Sequence, residues 1–152
     1  MKRFLCCVMA MVLVAAMFPV FSRAAAYGEE VLTEVFADGS YVTESICTMQ
    51  ARASGTTSGS KVKSYYDSNG VLCWQFVLNG SFSYTGTSAT CTASSCNVTS
   101  YGYGWYTISK NASKSGNVAS ATVTMGESAG GALANQVSAS LTLRCDINGN
   151  LS

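Results

Sequence analysis

The sequence predicts an all-β fold, an antiparallel β-sandwich of immunoglobulin-like kind with about seven strands, and three observations predict it. Apolar and polar residues alternate over long runs, and after Tyr41 no window of 11 residues or more carries a helical stripe. Ser, Thr, Val, Tyr and Gly dominate that part of the chain. Turn-forming residues at Asp38-Gly39, Asn69-Gly70, Ser115-Gly116-Asn117 and Gly130-Gly131 divide the runs at short spacing. Short connections demand antiparallel neighbours, so two packed sheets are expected, with a closed barrel as the alternative.

The first element is not part of that domain. Lys2 and Arg3 precede an uncharged apolar stretch from Phe4 to Phe21, and Ala24-Ala25-Ala26 supplies small residues for cleavage, the layout of a secretory signal peptide over residues 1–26. Residues 27–152 then form a single domain, secreted, with no membrane span after signal cleavage. Glu29 to Phe36 fits a short helix or an edge strand. Strands are expected at Tyr41 to Cys47, at Lys61 to Tyr66 as an edge, and from Leu72 to Tyr84, with Gly55 to Ser60 a flexible loop before them. In the last run Leu72, Trp74, Phe76, Leu78, Gly80, Phe82 and Tyr84 share one face; Asn79-Gly80 reads as a hairpin turn or as a bend in one strand. Cys73, out of phase with Trp74, is expected on the opposite face. Tyr103 to Ser109, Val118 to Met125 and Val137 to Cys145 complete the set, the last as a central strand.

Charge and residue types exclude several functions. Without residues 1–26 the chain keeps six basic residues against eight acidic ones, which argues against nucleic acid and anionic lipid as partners. There is no histidine, so Ser-His-Asp and Cys-His nucleophile pairs and histidine zinc sites are absent, and no cofactor or metal site is expected. Two carboxylates suffice for a glycan hydrolase; Glu44 and Glu127, each beside an expected strand, are the pair to consider. The binding feature is Tyr101-Gly102-Tyr103-Gly104-Trp105-Tyr106, where Tyr101, Tyr103, Trp105 and Tyr106 offer aromatic faces with polar tips, suited to a sugar or a protein surface. The competing reading places Trp105 and Tyr103 in the core and Tyr101 at a hairpin.

Five cysteines follow the signal: Cys47, Cys73, Cys91, Cys96 and Cys145. Export permits disulfides, one thiol must be left over, and spacing alone does not choose among the pairings. A Cys91–Cys96 bridge would close a tiny loop for about 2 kcal/mol and a Cys91–Cys145 bridge a long one for about 4 kcal/mol, which favours the latter.

Asp38-Gly39-Ser40-Tyr41, Trp74, the run from Phe82 to Cys91 and the ending from Leu141 to Ser152 resemble a family of small exported proteins of Gram-positive anaerobic bacteria, defined as a domain of unknown function. The resemblance spans most of the chain after the signal and implies an exported bacterial β-domain. It supports pairing Cys91 with Cys145, while Cys47, Cys73 and Cys96 depart from the family pattern. The expected function is that of a non-enzymatic extracellular module binding an unknown protein or glycan at a cell surface. A small carboxylate-dependent glycan hydrolase is the first alternative. The second is a self-associating surface component, favoured by low charge and by edge strands such as Lys61 to Tyr66.

Overall fold

Two antiparallel sheets face each other in the computed structural model, which describes residues 28–49 and 55–152. The signal peptide expected over residues 1–26 lies outside the described residues. The strands are β1 (Val31–Val35), β2 (Tyr41–Met49), β3 (Thr56–Tyr66), β4 (Leu72–Tyr84), β5 (Ala89–Ser100), β6 (Trp105–Ser115), β7 (Val118–Ala129) and β8 (Ala132–Arg144). β1 to β5 form one sheet and β6 to β8 the other, each in sequential order. The sandwich is thus two meanders joined at β5–β6, and its strands follow one another without the Greek-key connections of an immunoglobulin domain.

The alternation of β4 builds the core. Trp74, Phe76, Leu78 and Phe82 are all but completely buried, against Ala119, Ala121, Val123 and Met125 of β7 and Leu141 and Leu143 of β8. The β4 side chains meet the small Ala119 and Ala121 as well as the larger Met125, Leu141 and Leu143, and the layers interdigitate at interior density. Each of the Phe, Leu, Val and Met side chains contributes about 1.5–3 kcal/mol through burial. β4 passes unbroken through Asn79 and Gly80, so the bent-strand reading holds. Gly80 is needed there: a Cβ would lie 2.7 Å from the Phe82 ring and 3.2 Å from Ala119 Cβ. Gly80→Ala is expected to destabilise by about 1–3 kcal/mol through overpacking, read as a lower urea midpoint at unchanged slope.

Several expectations are corrected. Gly55 to Ser60 is not a flexible loop: β3 starts at Thr56, and Gly59 omits the side chain that would collide with Leu151 and with the Cys47 carbonyl. The Lys61 to Tyr66 segment lies between β2 and β4, and the edges of its sheet are β1 and β5, so Glu29 to Phe36 resolves as an edge strand. β8 is an edge of its sheet, with β7 central. β5 has no counterpart among the expected strands, because an extra residue at Thr92 opposite Ser81/Phe82 switches its inward face from Cys91 to Ser94, Cys96 and Val98 and erases the alternation. Cys73 does not face away from the core. Tyr65 pairs with Trp74 and Tyr66 with Leu72, which leaves Cys73 as a bulge residue, turned inward and buried.

Candidate functional site

Antiparallel meanders place every second connection at the same end of the sandwich, and the connections β1–β2, β3–β4, β5–β6 and β7–β8 share one end. Each of the first three is fixed by its own chemistry. Asp38 Oδ1 accepts hydrogen bonds from the Ser40 backbone N–H at 3.0 Å and the Ser40 hydroxyl at 2.6 Å. Asp67 Oδ1 accepts from the N–H groups of Asn69 and Val71, both at 2.9 Å. Between β5 and β6 the chain must change sheets in four residues. The carbonyl of the bulged Cys73 takes the N–H groups of Tyr101 and Gly102, both at 2.8 Å, and Gly104 adopts φ +86° with its carbonyl accepting from Ser128 N–H at 2.9 Å. A Cβ on Gly104 would sit 2.7 Å from the Ser128 carbonyl oxygen. Gly104→Ala is therefore expected to unseat this connection at a cost above about 1 kcal/mol, seen as faster amide exchange at Tyr101 to Trp105 and at Ser128, with the remaining β7–β8 amides unchanged.

These connections enclose a cleft of about 220 Å³. Its depth is aromatic. Tyr65 stacks on Trp74 with centroids 5.2 Å apart and planes 5° from parallel, and Trp105 meets Tyr65 at 5.2 Å and Trp74 at 6.4 Å in tilted contacts. Tyr65 and Trp105 line the cleft, while Trp74 lies wholly buried behind them with no acceptor for its indole N–H among the described residues. Trp105, Glu127 and Asn135 form one row across the three-stranded sheet and contribute one wall. Asp38, Asp67 and Cys73 line the remainder, and every charged lining residue is acidic. Asp38 and Asp67 are held by their turns, whereas Glu127 has no hydrogen-bond or ion-pair partner among the described residues.

The aromatic cluster picked out from the sequence is split. Trp105 is buried in the cleft wall, as expected for a core residue, but Tyr103 precedes β6 and is wholly exposed at the lip, against the expectation that it joins the core. Tyr101 is exposed and does not line the cleft. Tyr106 projects to the outer face of the three-stranded sheet. Glu44 and Glu127 are not brought together. Glu44 sits on β2, paired with Lys63 at 2.8 Å and Lys61 at 3.3 Å, and lines a different hollow beside β1. Burial alone would raise the Glu44 carboxyl, but the two ammonium groups outweigh it and hold the group below its ordinary value.

Titration in the cleft follows from the same contacts. The Ser40 hydroxyl, with the Ser40 N–H, lowers the Asp38 pKa, and the Val71 N–H, with that of Asn69, lowers the Asp67 pKa. Burial raises the Tyr65 hydroxyl and the Cys73 thiol, with Glu127 adding to both. Both aspartates are depressed on folding, so what they contribute to stability is complete above the ordinary Asp value and is lost as pH falls through their lower folded values. Acidification below about pH 4 is expected to loosen the β1–β2 and β3–β4 connections before the sheets melt, read as tryptophan fluorescence changing ahead of the β circular-dichroism signal. Coincident transitions would contradict it.

The cysteines lie elsewhere, except Cys73. All five are thiols in the structure. Cys91 and Cys96 share β5 five residues apart, about 16 Å, well beyond the roughly 7 Å a disulfide can span. Cys47 lies on the outward phase of β2, and Cys73 is at the cleft end. Cys91 and Cys145 are the pair left close, at the far end of the sandwich. Their N–H groups bond to consecutive carbonyls of the β6–β7 turn, Cys91 to Gly116 at 2.7 Å and Cys145 to Asn117 at 3.0 Å. Both are buried, and burial raises their pKa values, opposed at Cys91 by the Lys114 ammonium and reinforced at Cys145 by Asp146 and by Cys91, which is near enough to add to the rise.

Of the cleft, sequence reasoning found Tyr103, Trp105 and, for another purpose, Glu127. Tyr65, in the pair Tyr65-Tyr66, invites the same binding or core readings as the aromatic cluster; Asp38 and Asp67 carry only turn or strand-end signals, and Ser40 and Asn135 carry no site signal. The available signal was the parity of the connections. No protein-family model, curated protein or solved structure matches the chain.

Proposed function

We propose that the chain is an exported, non-enzymatic binding module that holds a protein or glycan at a cell surface through the cleft at its connection-rich end, with a Cys91–Cys145 bridge tying the two sheets at the other. One observation carries the reading: a tyrosine held clear of the protein, Tyr103, stands at the lip of an aromatic-walled cleft built by separate connections. Rigid aromatics with polar tips beside a preformed hollow are the usual anchors of recognition. The rest of the end is fixed by turn hydrogen bonds, so little ordering accompanies binding.

The hydrolase reading gains one point from the structure, three carboxylates in one cleft. A glycosidase needs one of its pair protonated at working pH, hence with a raised pKa. Asp38 and Asp67 are shifted the other way and are committed to turns, which favours binding over hydrolysis. Self-association has its own support in β1, an edge strand with Val31, Leu32 and Val35 more than half exposed.

The test is to titrate the oxidised protein, residues 27–152, against a panel of glycans and extracellular proteins, alongside Tyr103→Ala. Saturable binding weakened about tenfold or more in the folded variant supports the reading. A panel without a binder, together with a mass that rises with concentration, contradicts it in favour of self-association.

A further inference from the structure

The two sheets differ in width, and the excess lies on one side. β8 packs opposite β3 and β4 and β6 closes against β5, so β1 and β2 extend past β8 with no strand of the smaller sheet opposite them. Val31, Glu44 and Ile46, on their inner face, line a hollow of about 420 Å³ together with Lys61 of β3. Nearer the cleft, a hollow of about 230 Å³ separates Glu34 and Phe36 from Val137 and Ser138 of β8. Two strands of overhang leave about 10 Å beside β8, room for an added strand.

The edge of β8 that faces this space is chemically open, and its phase is set at the far end of the sandwich. Arg144 N–H donates to the Ser152 carbonyl at 2.9 Å and Ser152 N–H to the Arg144 carbonyl at 3.0 Å, with Cys145 opposite Leu151. Arg144 therefore turns both backbone groups away from β7. The register runs unbroken from Val118↔Arg144 to Gly126↔Gln136, which gives Thr142, Ser140, Ser138 and Gln136 the same orientation. Asn135 Oδ1 accepts the Gln136 N–H at 2.8 Å, while the N–H and C=O groups of Ser138, Ser140 and Thr142 have no partner among the described residues.

Leu151 and Ser152 thus pair as the start of a fourth strand, with Leu151 packed inward over Gly59. Gly59, Lys61 and Lys63 share the inner face of β3, so the inward positions that follow Leu151 along β8 run over the two lysines and Ile46. Both lysines share the one carboxylate of Glu44, at 2.8 Å from Lys63 and 3.3 Å from Lys61, which leaves one ammonium in excess. Glu29 and Glu34 stand two strands further out, about 10 Å from the lysine row, and form no ion pair with it.

Going beyond the cleft, we infer that the free edge of β8 is a strand-addition site for a protein partner. An extended segment of the partner pairs antiparallel with Ser138 to Thr142, lies over the inner face of β2 and β3, and directs a carboxylate to Lys61 between two apolar side chains. Backbone pairing gives the affinity, and the alternate side chains give the selection. The β8 of a second copy does not fit in this antiparallel sense, because the β1–β2 overhangs of both copies would enter the same layer and collide.

The probe is acetyl-Thr-Val-Thr-Glu-Thr-Val-Thr-amide, titrated into the oxidised protein alongside an analogue with lysine in place of glutamate. With valine and glutamate inward, the threonines are the residues bonded to β8. N-methylation of the third and fifth residues is therefore expected to weaken binding at least tenfold, whereas N-methylation of the two valines, whose N–H groups point away from β8, costs less than about threefold. The glutamate peptide is expected to bind about tenfold more tightly than the lysine analogue at low salt, a preference that Lys61→Gln removes. Ser140→Pro deletes a free-edge donor outside the β7 ladder and should abolish binding in a variant with an unchanged β circular-dichroism signal. Equal losses from the two N-methylated peptides, or no binding of the glutamate peptide at millimolar concentration, overturn strand addition. Equal binding of the glutamate and lysine peptides overturns the acidic partner segment. A mass that doubles with concentration in the parent protein but not in Ser140→Pro overturns the partner in favour of a second copy. Ser138 to Thr142 lie outside the cleft, so each of these failures leaves the binding-module reading to its own panel.

Discussion

Oxidised protein is expected to carry three titratable thiols, with Cys91 and Cys145 joined, and to lose about 4 kcal/mol of stability when that bridge is removed. The two thiols would yield their hydrogens as two protons and two electrons to an oxidant, such as the disulfide of an exchange catalyst outside the cell. The registers leave no competing partner close by, because Cys96 stands about 16 Å along β5 from Cys91, Cys73 sits at the opposite end and Cys47 faces outward. The bond would close a loop of about 54 residues, which sets the magnitude. It would also tie β5 of one sheet to the end of β8 in the other, at the turn where both N–H groups already bond to Gly116 and Asn117. Peptide mapping of non-reduced protein with alkylated free thiols checks the pairing, and urea unfolding of the Cys91→Ala, Cys145→Ala double variant checks the magnitude. A mapped bridge involving Cys96 or Cys73 would contradict the geometry.

Trp74→Ala should cost a comparable amount, about 3–5 kcal/mol, as a large side chain leaves a cavity in a core that cannot collapse around it. Trp74 is fully buried, stacks on Tyr65 and touches Trp105, so the variant should also loosen the floor of the cleft. Trp74→Phe should lose less than its volume alone implies, because it removes an indole N–H that has no acceptor among the described residues. Tyr103→Ala, by contrast, should change stability by less than about 0.5 kcal/mol, since the side chain touches solvent on all sides. Denaturation midpoints of the three variants give the comparison directly. A Tyr103→Ala variant as unstable as Trp74→Ala would place Tyr103 in the core after all.

How much of this the sequence shows depends on how regular each strand is. β4 from Trp74 to Phe82 and β7 from Ala119 to Met125 alternate regularly, so Trp74, Phe76, Leu78, Phe82, Ala119, Ala121, Val123 and Met125 can be assigned to the core by phase alone. Bulges remove that legibility. The extra residue at Thr92 hides β5, the unpaired Cys73 turns a thiol into the cleft against its phase, and the bulge at Ile108 divides β6 into two phases. The cleft was less legible still, since its residues are scattered from Asp38 to Asn135 and each has an ordinary local role. Asp38 and Asp67 look like turn residues because they are turn residues. Only the meander topology, which sends connections one, three, five and seven to the same end, shows that they meet. Tyr103 illustrates the remaining limit: a four-residue change of sheet, with Gly104 at positive φ, ends the alternation before that position and leaves the side chain in water.

The most direct measurement is a map of backbone amide shifts in the ¹⁵N-labelled, oxidised protein with a ligand identified by the panel. The account predicts shifts concentrated at Asp38 to Ser40, Asp67 and Ser68, Tyr101 to Trp105, Glu127 and Asn135, with the Cys91 and Cys145 end silent. Shifts centred on β1, or spread over the sheet faces with the cleft silent, would contradict it.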